Sequence, residues 1–188
     1  MELSRPKVGL VSEKWVRQEF VFEQDVSRLA EFADFSWDEF TQESNWDCSP
    51  PYDPVIEARL IEFARDLDAL LVCHGAPRVT EAVLSACRRL TFVGELEGDR
   101  FARRVDVEAA ASRGVKVVDT NQGSSYPVAE WALAMMLIGL RKAGLHFRRI
   151  ISEHAALNPS GDPDYWDRQP GGNELTGRHV GLIGCGHI

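Results

Sequence analysis

The sequence predicts an α/β protein built on a parallel β-sheet. Three features carry that prediction. Short apolar runs alternate with stretches of helical periodicity through most of the 188 residues, the pattern of repeated strand–helix crossovers. The run Ala69-Leu70-Leu71-Val72-Cys73 is apolar throughout, as a strand covered on both faces must be. An apolar stretch at 179–183 leads into Gly184-Cys185-Gly186, a strand followed by the opening of a turn that lets main-chain amides approach a phosphate. Such a turn equally suits any α/β strand that ends in glycine.

The elements come in a regular order. Residues 8–11 read as a first strand, 15–32 as a mixed and mostly helical stretch, and 34–37 as a second strand. Ser49-Pro50-Pro51-Tyr52-Asp53-Pro54 interrupts either kind of element, because prolines remove donors and fix φ. A helix is expected at 55–65, with Ile56, Leu60 and Phe63 on one face at i, i+4 and i+7. After the 69–73 strand, Thr80 is suited to cap a helix in which Val83, Leu84 and Cys87 face inward, while Arg88 and Arg89 complement its carboxyl end. A strand at 90–93, a helix at 107–113 capped by Asp106 and ended by Gly114, and a strand at 115–118 continue the alternation. Pro127 then opens a helix that is apolar nearly all round from 128 to 140. Such a helix is expected to be buried on every side, between two layers or two domains, which places the domains at 1–122 and 123–188. The Pro- and Gly-rich stretch 158–172 reads as a loop before a last strand at 180–183.

The formal charge of −8 is unevenly spread. Residues 23–57 hold ten Asp and Glu against the single Arg28, a local charge of −9. An acidic surface repels phosphate backbones and anionic lipid, so neither nucleic acid nor a membrane is an expected partner. The plain reading of the run is a solvated face. Cys48, Cys73, Cys87 and Cys185 form no Cys-x-x-Cys pair and no metal-ligand spacing with the five histidines, so no metal is expected, and Cys73 and Cys87 read as core residues. The N-terminus has no signal-like apolar stretch, and the longest apolar run falls short of the ~20 residues that span a bilayer. A cytoplasmic, reducing setting is the expectation.

Four motifs occur in one order: Val105-Asp106-Val107-Glu108-Ala109-Ala110; Arg113-Gly114-Val115-Lys116-Val117-Val118-Asp119-Thr120; Pro127-Val128-Ala129-Glu130-Trp131-Ala132-Leu133-Ala134; and Glu174-Leu175-Thr176-Gly177 ahead of Val180-Gly181-Leu182-Ile183-Gly184-Cys185-Gly186-His187-Ile188. Together they resemble the D-isomer-specific 2-hydroxyacid dehydrogenases, which include phosphoglycerate, glyoxylate/hydroxypyruvate and formate dehydrogenases. The resemblance runs from about Asp68 to the end and is poor over the first 60 or so residues.

The resemblance implies a flavodoxin-like substrate domain at 1–122, joined through the long helix to the start of a Rossmann domain. It implies NAD or NADP as cofactor, a small 2-hydroxy or 2-oxo acid as substrate, and a homodimer for the full-length protein. Hydride would pass between substrate C2 and the nicotinamide, with an Arg, a Glu and a His in attendance. In the family pattern those three lie beyond Ile188, so no residue here takes a catalytic role. The expectation is an N-terminal portion of such an enzyme, inactive alone.

The resemblance also carries over some binding residues. His74 and Gly75 match the loop whose amides meet the substrate carboxylate, although His74 also suits a plain loop. Val128 matches a residue lining the nicotinamide and is equally suited to a helix core. Gly184, Gly186, His187 and Ile188 match the pyrophosphate turn. The segment from Gly94 to Arg104 departs from the family's Gly-rich loop and is about two residues longer, with Gly98 the nearest stand-in for its substrate-side glycine. Glu95 and Glu97 would there oppose a carboxylate, unless they point away or pair with Arg100, Arg103 or Arg104. Those two carboxylates motivate an alternative, a non-catalytic relative that senses dinucleotide or binds a partner; a solvated Glu/Arg loop is the plainer reading.

Overall fold

The computed structural model describes residues 5–42, 48–98, 101–152, 174–184 and 186. The chain divides into two compact units, 1–121 and 122–188. In the first, β1 (Lys7–Ser12), β2 (Asp34–Glu39), β3 (Ala69–Val72), β4 (Phe92–Glu95) and β5 (Lys116–Asp119) form one sheet in the order β2-β1-β3-β4-β5. Every neighbouring pair is parallel, so the α/β expectation holds. The connections carry α1 (Lys14–Glu19), α2 (Glu23–Ala30), α3 (Pro54–Ala64), α4 (Glu81–Ala86), α5 (Phe101–Arg104) and α6 (Val107–Ser112).

Local chemistry explains where these elements start. The proline-rich breaker doubles as a helix start: Pro54 occupies the first turn of α3, and the Asp53 carboxylate accepts from the amides of Val55 (2.8 Å) and Ile56 (3.3 Å). Thr80 Oγ1 accepts from Val83 N–H at 3.4 Å, and Asp106 accepts from Ala109 N–H at 2.9 Å. The 15–32 stretch resolves into α1 and α2. Arg89 does not serve the end of α4, which stops at Ala86; it pairs with Asp68 at 2.9 Å.

β4 and β5 begin two residues and one residue later than the apolar runs that predicted them. Leu90 is buried in the turn that closes α4, its amide donating to the Cys87 carbonyl at 3.0 Å, and the ladder starts where Phe92 pairs with Ala69. Both strands end on carboxylates, Glu95 and Asp119, which apolar patterning does not count.

Two apolar layers cover the sheet. Leu60 and Ala64 of α3, Val83 and Leu84 of α4, and Ala110 of α6 pack with Val11, Leu70, Val72 and Val93 on one face. Cys87, at the end of α4, belongs to the same cluster, as expected of it. On the other face, Val16 of α1 packs with Leu10 and Cys73, joined by the partly buried Phe35, Trp37 and Leu71. Each aliphatic side chain removed from water contributes roughly 1.5–3 kcal/mol before entropy is counted.

The second unit contains α7 (Ser125–Leu140) and α8 (Ala143–Ser152), the latter without a counterpart in the sequence expectations. α7 is not buried as its all-round apolarity predicts: Val128, Trp131, Leu133, Met135, Leu137 and Ile138 are between 40% and 64% exposed. Among the described residues of its own unit α8 packs on it, and a single helix covers one stripe of a cylinder, not its circumference. The strand expected at 180–183 is also absent. A strand exists by hydrogen bonding to a neighbour, and these residues pair with none among the described residues, leaving Val180, Leu182 and Ile183 exposed. The loop expected at 158–172 lies outside the described residues.

Candidate functional site

In a sheet of this order the chain reverses its winding between β1 and β3, and the crevice at the carboxyl ends of those strands is the usual ligand position. The residues that come after β1 and β3 are Glu13 and the loop Cys73-His74-Gly75-Ala76. That loop is tied to the segments that follow β1 and β2. Glu13 N–H donates to the His74 carbonyl at 2.8 Å, and Gln42 N–H donates to the Gly75 carbonyl at 2.8 Å. Gly75 adopts φ +85°, and a Cβ there would run into Glu13 Cγ and lie 2.5 Å from the Phe40 carbonyl oxygen. Only glycine fits, for reasons of both backbone and space.

The loop after β4 joins the same edge. His74 Nδ1 lies 3.3 Å from Glu97 Oε1, so the structure brings the predicted His74 and Gly75 together with the Gly94–Arg104 segment. Gly98, at φ +64°, packs on Asn121 beyond the end of β5. The residue that organises this loop is Arg104. Its Nη1 donates to both oxygens of Glu95 (2.8 and 2.7 Å), and its Nη2 donates to Glu97 Oε2 at 2.6 Å. Glu95 is in register with Val72 and so lies on the face covered by α3, α4 and α6; both Glu95 and Arg104 are buried.

The Glu97 amide also donates to Glu95 Oε1, at 3.0 Å. Burial pushes the Glu95 carboxyl above the usual carboxylate range, with Arg104 opposing. Arg104 Nε has no hydrogen-bond partner among the described residues, a deficit of about 1–3 kcal/mol for a buried donor. Burial also pushes the adjacent Cys73 thiol up to about 11, so it is a core thiol and not a nucleophile.

This pairing decides between the readings of Glu95 and Glu97. Neither is part of a solvated loop; both are held by Arg104, one of the three arginines considered as partners. Sequence reasoning missed Glu13 and Trp15. Trp15 stands 5.5 Å from the His74 ring, centroid to centroid, with its indole N–H donating to the Glu13 carboxylate. The signal available was their place immediately after an apolar strand, where α/β ligands gather.

The remaining predicted residues belong to the second unit. Val128 is 40% exposed in the first turn of α7. Gly184 has φ +92°, which suits a tight turn, but a Cβ at Gly184 or Gly186 would meet nothing within 4 Å. A pyrophosphate cradle is crowded by strand and helix, so the described part of this turn does not fit one. His187 and Ile188 lie outside the described residues. Among the described residues no group of three or more His, Cys, Asp or Glu is arranged to hold a metal, and no helix is long and apolar enough to cross a membrane.

Residues 37–159 match the family model for the catalytic domain of D-isomer specific 2-hydroxyacid dehydrogenases. The chain belongs to that family. The match reaches further toward the N-terminus than the sequence motifs do and stops before the glycine turn. Among relatives of this 2-hydroxyacid dehydrogenase family, D-3-phosphoglycerate dehydrogenase of Methanocaldococcus jannaschii is 33% identical over 130 residues, covering 69% of this chain and 22% of that protein. The putative 2-hydroxyacid dehydrogenase YoaD of Bacillus subtilis is 31% identical over 134 residues, covering 70% and 37%. The chain thus spans between about a fifth and two fifths of the length of these relatives. A phosphoglycerate oxidoreductase from Rhizobium etli has the same fold, with TM-score 0.55 and 19% identity over 84% of this chain and 43% of that one.

Proposed function

We propose that the first unit is the substrate side of an NAD(P)-dependent oxidoreductase that interconverts a 2-hydroxy acid and its 2-oxo acid, in the cytoplasm and as a homodimer. The observation that carries this reading is the His74–Gly75 loop at the switch point of the sheet, locked to the ends of β1 and β2 and backed by the Glu95–Arg104–Glu97 network. On this reading a substrate carboxylate is received by the His74 imidazole. The repulsion that motivated a non-catalytic relative is reduced, because Arg104 cancels one of the two carboxylate charges. Family membership and the NAD named with a related structure, NAD-dependent formate dehydrogenase of Staphylococcus aureus, support a nicotinamide as hydride carrier. No step is assigned to Gly184 or Gly186, where a Cβ would meet nothing within 4 Å.

The test is hydride transfer by the product of the complete gene, followed at the nicotinamide absorbance with NADH and NADPH against a panel of 2-oxo acids. Reduction of at least one acid, with KM raised by His74→Asn, is the expected outcome. A protein that reduces none of them is not a dehydrogenase of this class. For residues 1–188 alone, calorimetric titration with NAD is expected to show no dissociation constant below about 100 μM, since an open turn has too few contacts to offset the entropy of binding.

A further inference from the structure

The mouth of the switch-point crevice pairs a polar handle with an aromatic wall. His74 is held at Nδ1 by Glu97, which leaves Nε2 for a ligand. Beside it, Trp15 is 42% exposed, and its indole N–H is fixed by the Glu13 carboxylate, so the ring is held in place. Phe20, 63% exposed, sits edge-on to Trp15 with ring centroids 5.8 Å apart and planes at 76°. Two large aromatic rings left in water beside an ordered polar loop mark a place where an apolar group docks.

The charges around His74 point the same way. Glu13 comes directly after β1 and Glu97 just after β4, with Glu95 behind. Arg104 is buried and already engaged by both Glu95 and Glu97. A single carboxylate is accommodated by the His74 imidazole. A side-chain phosphate, with a charge of about −1.5 to −2 at pH 7, would add its repulsion against Glu13 and Glu97.

Resting on the dehydrogenase reading for the 2-hydroxy acid head group, we propose that this crevice takes an acid with an aromatic side chain, stacked on Trp15 and Phe20, and disfavours one with a phosphorylated side chain. D-Phenyllactate and D-3-phosphoglycerate are matched probes, sharing the 2-hydroxy acid head and differing in the group carried on C3. In NMR titrations of the 188-residue chain, phenyllactate is expected to shift the Trp15 indole N–H and His74 ring signals saturably. Phosphoglycerate is expected to bind at least about tenfold more weakly, and Trp15→Ala to weaken phenyllactate about fivefold, the equivalent of roughly one aromatic contact. Phe20→Ala serves as a second variant should Trp15→Ala disturb the core amide spectrum.

Equal or tighter binding of phosphoglycerate overturns the proposal, as does an unmoved Trp15 signal at about 20 mM phenyllactate. Neither readout involves hydride transfer. A gene product that reduces only phosphorylated 2-oxo acids loses this inference and keeps the dehydrogenase reading. One that binds phenyllactate here and transfers no hydride does the reverse.

Discussion

β3 and α7 are both nearly pure apolar sequence, yet they end in opposite surroundings. Leu70 and Val72 of β3 are fully buried, while Trp131, Leu133 and Met135 of α7 are 45–64% exposed. The difference lies in their neighbours. β3 is flanked by β1 and β4 and covered by helices on both faces, whereas in its own unit α7 packs against α8. Apolarity states what a segment requires; the rest of the fold determines whether the requirement is met.

The largest effect that would test this contrast is at Arg104. Arg104→Met leaves the buried Glu95 carboxylate without its guanidinium partner in the interior of the first unit and is expected to cost about 3–5 kcal/mol in denaturant unfolding. A loss below about 1 kcal/mol would mean that the network is not part of the first unit's core. Next comes a direct comparison of the two regions. Leu70→Ala should cost about 2–5 kcal/mol, whereas Leu133→Ala should stay within about 0.5 kcal/mol, as at other exposed positions. Equal costs in urea unfolding of the 188-residue chain would erase the distinction.

Gly75→Ala is expected to cost about 2–3 kcal/mol, since it combines a left-handed backbone with a clash against Phe40; an unchanged midpoint would show that the loop gives way easily. The smallest effect concerns the other end of the strands, just before β3. Asp68 is held below the usual carboxylate range, chiefly by the Lys7 amide and then by Arg89. With its folded value depressed, its contribution is present above the unfolded carboxylate value of about 3.9 and is lost as pH falls through the folded one. The stability gap between wild type and Asp68→Asn should therefore be present at pH 7 and close below about pH 4, as followed by urea midpoints.

Legibility in the sequence divides along the same line. The parallel sheet, the Thr80 and Asp106 caps and the inward face of Val83, Leu84 and Cys87 were readable because local chemistry and periodicity agree there. The ends of β4 and β5 were not, since Glu95 is buried only because Arg104, nine residues on, meets it. Of the candidate site, motif matching singles out His74, Gly75 and Gly98. Trp15 was not, because its proximity to His74 comes from the crossover that places β1 next to β3, a contact between residues 59 positions apart. The fate of α7 was misread by treating apolarity as proof of burial.

The pinning of Gly75 between Glu13 and the Phe40 carbonyl bears finally on how a ligand would be met. A loop already fixed by two main-chain hydrogen bonds and a forced glycine has little freedom left to lose on binding. Ordering a flexible loop costs roughly 1–2 kcal/mol for each residue immobilised, and here folding has borne that cost in advance. Affinity at this edge would be set by the fit of the incoming acid and hardly at all by rearrangement of the protein, with fast association and little heat-capacity change beyond the area the ligand itself covers.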